Sequence, residues 1–90
     1  MAMIIVRHKV KDYAAWKKVF DADKPNQTAA GLSNARLFRS DGDASEVVIL
    51  MDAASVDKAK MFAASPDLKA AMQSAGVIDQ PTVFLLNEAK

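Results

Sequence analysis

Two segments of this chain, Glu46 to Asp52 and Thr82 to Glu88, put apolar side chains on both sides of what their composition marks as β-strands. Val47, Ile49 and Met51 alternate with Val48 and Leu50, and Val83 and Leu85 alternate with Phe84 and Leu86. Met3 to Val10 does the same over its first half, with Ile4 and Val6 set against Met3 and Ile5. Successive strand residues point to opposite faces. An antiparallel sheet with one wet face should therefore alternate apolar with polar. A sheet built from these three strands needs cover on both sides.

The rest of the chain supplies cover for one side only. Asp12 is a suitable N-cap, and behind it Tyr13, Trp16 and Phe20 recur at helical spacing. Pro25 either kinks this helix or starts a short second segment, and Gly31 closes the stretch as the residue after the cap. Leu32 to Ser40 reads as a strand, joined through Asp41-Gly42-Asp43 to the strand from Glu46. Ser55 can cap a helix over Val56 to Ala64, Ser65-Pro66 restarts it, and Gly76 ends it. Pro81 precedes the last strand. The order β-α-β-β-α-β is the α+β, ferredoxin-like split arrangement. It predicts a four-stranded antiparallel sheet with both helices on one face, the second broken at Ser65-Pro66. All 90 residues form one domain, 1–90, with no repeats or linkers. Only Ala89 and Lys90 follow the last strand, too few to fold back over the open face. A second copy packed sheet to sheet is the economical cover, and a standard interface of roughly 800 Å² per partner suits a face of this size. The expected state is a homodimer through the helix-free sheet face.

Composition removes several function classes. Twelve basic and eleven acidic residues give a net charge of +1, so nothing electrostatic points to nucleic acid or anionic membrane. The strands Met3–Val10 and Glu46–Asp52 carry no aromatic residue on which bases could stack. No apolar run approaches the roughly 18 residues of a membrane span, and no signal peptide is visible, so the expected compartment is the cytoplasm. The chain has no cysteine, which excludes disulfides, thiolate metal sites and cysteine nucleophiles. With one histidine, no metal site is expected, and no cofactor motif is present.

The candidate chemistry is sparse. His8, the single histidine, shares a face with Ile4 and Val6. In a pocket its pKa near 6.5 would suit acid–base work; otherwise it is a hydrogen-bonded strand-end residue. Tyr13, Trp16 and Phe20 share one helical face, where they either wall a pocket for a flat ligand, with the tyrosine hydroxyl orienting it, or pack the helix on the sheet. Asn34 and Arg36 are expected on one face of the second strand with Leu32 and Phe38. There they either protect an edge or, through Arg36, hold a carboxylate or enolate oxygen. The expected site is thus His8 and Tyr13 as catalytic groups, with Trp16, Phe20, Asn34, Arg36 and Phe84 around the ligand.

Val10-Lys11-Asp12-Tyr13 with Trp16 and Phe20 resembles the first strand-to-helix passage of small bacterial dimeric α/β-barrel proteins. Arg36-Leu37-Phe38-Arg39-Ser40-Asp41 with Glu46-Val47-Val48-Ile49-Leu50 is similar to their hairpin, and Ser65-Pro66-Asp67-Leu68 through Gln80-Pro81 to their last helix and turn. The resemblance covers nearly the whole chain. The superfamily includes antibiotic-biosynthesis and haem-degrading monooxygenases, muconolactone isomerases and polyketide cyclases. It implies a dimeric barrel with a ligand pocket between sheet and helices of each subunit. Monooxygenase members often carry a tryptophan at the end of the third strand and a histidine in the next helix. Here those regions read Met51-Asp52-Ala53 and Val56 to Ala64, and haem ligation is not expected.

The resemblance implies a small-molecule enzyme, a cofactor-independent monooxygenase or an isomerase/cyclase, acting on an apolar or aromatic substrate. The alternative is a non-catalytic homodimeric module that binds a small ligand or another protein. The enzyme reading expects an enclosed cavity of a few hundred Å³ between the first helix and the sheet, with His8 or Tyr13 pointing in. A collapsed core favours the alternative.

Overall fold

The computed structural model describes residues 2–89. Eight elements follow one another: β1 (Ala2–Lys9), α1 (Tyr13–Ala22), α2 (Lys24–Ala29), β2 (Leu32–Arg39), β3 (Glu46–Ala53), α3 (Val56–Ala63), α4 (Pro66–Ser74) and β4 (Thr82–Asn87). The four strands make one antiparallel sheet in the order β2-β3-β1-β4. This is the α+β ferredoxin-like arrangement expected from the pattern.

Local chemistry sets the element ends. The Asp12 carboxylate accepts from the backbone N–H groups of Ala14 and Ala15 at 3.0 and 3.4 Å, satisfying two free donors at the start of α1. Pro25 lies in the first turn of α2, so it starts a separate short helix rather than kinking α1. Gly31 has φ +79°, a left-handed conformation natural to glycine, and its amide closes on the Thr28 carbonyl at 3.0 Å. The break between α3 and α4 falls at Ser65-Pro66, where the serine hydroxyl accepts from the Asp67 amide at 3.2 Å.

The core lies between the sheet and the helices. Ile4, Val47, Ile49 and Met51 from the two central strands are buried with Trp16 from α1, Ala59 from α3 and Ala75 after α4. Alternation places the other face of the sheet away from every helix. Three cross-strand rows run over it: Phe38–Val48–Arg7–Thr82, Arg36–Leu50–Ile5–Phe84 and Ser33–Asp52–Met3–Leu86. Phe38, Phe84 and Leu86 are 44%, 50% and 41% exposed there. The guanidinium of Arg36 lies 5.1 Å from the centre of the Phe38 ring.

One expectation for β2 needs correction. The register shifts between Ser33 and Arg36, so that Asn34 and Ala35 together stand opposite Met51 alone. Asn34 takes φ +53° at this bulge. The extra residue reverses the alternation. Leu32 faces the helices and is buried, whereas Arg36 and Phe38 face the other way. Leu32 and Arg36 therefore do not share a face.

Candidate functional site

His8 stands near the end of β1 on the helix-covered face, between Val47 of β3 and the aromatic row of α1. Its side chain is 2% exposed. Among the described residues neither Nδ1 nor Nε2 has a hydrogen-bond partner. The ring meets Trp16 edge to face, with centroids 5.6 Å apart and planes at 77°. Trp16 in turn stacks on Phe20 at 5.1 Å. Burial pushes the imidazole pKa below its usual 6.5, and the Asp79 carboxylate pulls less strongly upward. At neutral pH the ring is uncharged, with one N–H to donate and one lone pair to accept. Unmade hydrogen bonds in a buried place are costly, so this pair of atoms calls for a partner.

The space beside His8 supplies room for one. A cavity of about 60 Å³ lies between the sheet and the helices. Val6, His8, Ile49 and Met51 form its floor, Trp16, Val19 and Phe20 one wall, and Leu68 and Met72 of α4 with Phe62 of α3 the opposite side. Besides His8, its polar residues are Asp23 and Gln27, at the junction of α1 and α2. Gln27 is 6% exposed, and its Nε2 donates to the Phe20 carbonyl at 3.2 Å. This cavity is smaller than the few hundred Å³ expected for a catalytic pocket.

The fold holds the His8 end firmly. Asp79 accepts from the Lys9 amide through Oδ1 at 2.7 Å, and Ile78 N–H donates to the Lys9 carbonyl at 2.9 Å. Lys11 N–H reaches the Gly76 carbonyl at 2.8 Å, and Val10 bridges Val77. The segment after α4 is thereby clamped along the end of β1. By contrast, no residue of α4 itself is buried.

The structure brings together His8, Trp16 and Phe20 from the expected set. Tyr13 is half-buried beside Trp16, at 5.7 Å, and lies outside the cavity lining. Its ring is covered by the Arg39 guanidinium at 4.4 Å. Asn34 donates through Nδ2 to the Asp52 carboxylate at 2.9 Å, at the bulge and not at the cavity. Arg36 and Phe84 lie in the middle row of the helix-free face, across the sheet from His8. The sequence reading missed Gln27, Met51, Phe62 and Leu68 as cavity residues. A signal for Gln27 existed: it follows Phe20 by seven residues, about two helical turns, which returns to the same side. Among the described residues no three His, Asp or Glu side chains converge as metal ligands.

Comparison with known proteins supports the architecture. No family model matches the chain, and no curated protein sequence does. Solved structures match over nearly its full length. A protein from Bordetella bronchiseptica assigned to the antibiotic biosynthesis monooxygenases superimposes with a TM-score of 0.80 at 18% identity, covering 99% of this chain and 97% of that one. A Caulobacter crescentus protein of the same assignment gives 0.74 at 22% identity, covering 99% and 90%. SnoaB, a cofactor-independent oxygenase from Streptomyces nogalater, gives 0.74 at 15% identity, covering 99% and 93%. Among the described residues no helix is long and apolar enough to cross a membrane. At these identities the likeness speaks for architecture, and the chain carries the fold of the antibiotic biosynthesis monooxygenases.

Proposed function

We propose that the protein is a small-molecule enzyme acting on an apolar or aromatic compound, with His8 as its acid–base group. The observation that carries this reading is the buried imidazole with both nitrogens unpaired, set in an apolar cavity. A neutral histidine in a dry site can take a proton from a weakly acidic hydroxyl or an activated C–H. That step is common to isomerisation, cyclisation and oxygenation of a substrate anion without a bound cofactor. The likeness to SnoaB, described as a cofactor-independent oxygenase, supports the last of these. Trp16 and Phe20 offer flat faces to orient the substrate. Tyr13 takes a supporting place behind Trp16.

The working form in this proposal is a homodimer that closes the helix-free face, burying Phe38, Phe84 and Leu86 with the middle row around Ile5 and Leu50. The cavity lies on the opposite side of the sheet, so each protomer would hold its own site. The small cavity volume favours a second reading, a homodimeric module that binds a small ligand without turning it over.

The test is a thermal-shift screen with phenols, quinones and lactones on the wild type and on His8→Phe. The proposal expects at least one compound that raises the wild-type melting temperature and leaves His8→Phe unmoved. It also expects that compound to be consumed by the wild type alone. A hit that is bound but never consumed supports the binding module. If no compound discriminates the two proteins, His8 is not the site.

A further inference from the structure

We propose that the His8 cavity is the head compartment of a longer site, and that its ligand is an elongated, uncharged molecule whose apolar tail lies in the groove between α4 and β4. The inference rests on the reading of His8 as the ligand-binding group. The size of the cavity motivates it. A dry cavity known to take a benzene ring measures about 150 Å³, and the space beside His8 measures about 60 Å³. A polar head fits there, but a whole aromatic or aliphatic ligand does not.

An open groove of about 1020 Å³ adjoins it. The two spaces share four walls, Val6, Phe62, Leu68 and Met72. The floor of the groove continues over Ile4 and Val83, which carry the same helix-side face of the sheet outward to the edge strand β4. Of its charged and amide members, Lys69, Gln73 and Gln80 are exposed, while the half-buried Asp79 is held at one end by the Lys9 amide, so the rest of the depth is largely apolar. Phe62, Leu68 and Met72 form the partition. Leu68 and Met72 belong to α4, none of whose residues is buried, and a thioether side chain adapts readily to new neighbours. Small shifts of these side chains would join the compartments into one channel from the imidazole to the rim. An anionic head is disfavoured by Asp79, whose charge reaches His8, and by Asp23 among the lining residues. An uncharged hydroxyl suits the neutral imidazole.

The experiment uses phenol and its 4-alkyl derivatives from ethyl to heptyl, titrated calorimetrically into the full-length protein. The expected result is an affinity gain of about fourfold per added methylene, as for apolar surface leaving water. Two bulky substitutions in the groove, Val83→Trp from the sheet and Gln73→Trp from α4, should flatten this slope. Val83 is 39% exposed and Gln73 is exposed, so the added rings enter the groove and not the core. Binding with no chain-length slope, or a slope that survives both substitutions, overturns the tail compartment and leaves the His8 site standing. Failure of every phenol to bind overturns the tail compartment, while the His8 site then stands or falls with the quinones and lactones of the thermal-shift screen.

Discussion

An imidazole held in an apolar place with no hydrogen-bond partner is tolerated when neutral and opposed when charged. His8 is in that position, and the consequence should be visible in stability. Its pKa is lowered in the folded state, so between that value and 6.5 the unfolded chain binds more protons than the folded one. The folded protein is therefore at no disadvantage above pH 6.5. It loses stability as pH falls through 6.5 toward the lowered value, below which the penalty is complete. Urea unfolding at pH 7.5 and at pH 5 should show this loss in the wild type and a smaller one in His8→Phe. Equal losses would mean that His8 has its partner in solution and is no vacant acceptor. The same residue shows what the sequence made legible. Its face could be read from β1 alternation, and Trp16 and Phe20 from helical spacing. Arg36 could not be placed, because a bulge two residues earlier reverses the alternation and leaves no mark in the pattern of apolar residues. Phe84 had no such obstacle. Counting from Val83 and Leu85, it falls on the helix-free face.

At the scale of elements, local signals dominated and were readable. Asp12, Pro25, Ser65-Pro66 and Gly31 act within a few residues of themselves, so their effect can be derived without the fold. Gly31 carries the sharpest requirement. Its φ of +79° strains any other residue, and an added Cβ would sit 3.1 Å from the Cβ of Ala54 at the start of the next connection. Gly42, in the β2–β3 turn, has open space around it and no left-handed backbone. Gly31→Ala should therefore destabilise by about 1 kcal/mol or more, from the glycine-only conformation and the crowding together. Gly42→Ala should be neutral or slightly stabilising, because it only restricts the unfolded chain. Chemical denaturation of both variants checks the pair, and equal effects would contradict the conformational account. The α2 helix was less legible. Gln27 reaches the cavity because α2 restarts one residue after α1, at Asp23, and where the new helix then points is a property of packing rather than of the segment.

At the scale of the molecule, the governing fact is a mismatch of cover. The helices bury Ile4, Val47, Ile49 and Met51 on one side of the sheet, while Phe38, Phe84 and Leu86 stand exposed on the other. Single-chain proteins rarely leave large apolar patches in water. The two-sided apolar pattern of the strands carries that mismatch in the sequence itself. It could not show how Arg36 and the Asn34–Asp52 pair would edge the exposed face. The most direct test is static light scattering at micromolar concentration. With a chain mass of 9.7 kDa, a homodimer should scatter with twice the mass of one chain. Ile5→Arg, in the middle row of the open face, should reduce it to one. A wild-type mass of a single chain, with the fold intact, would contradict the account.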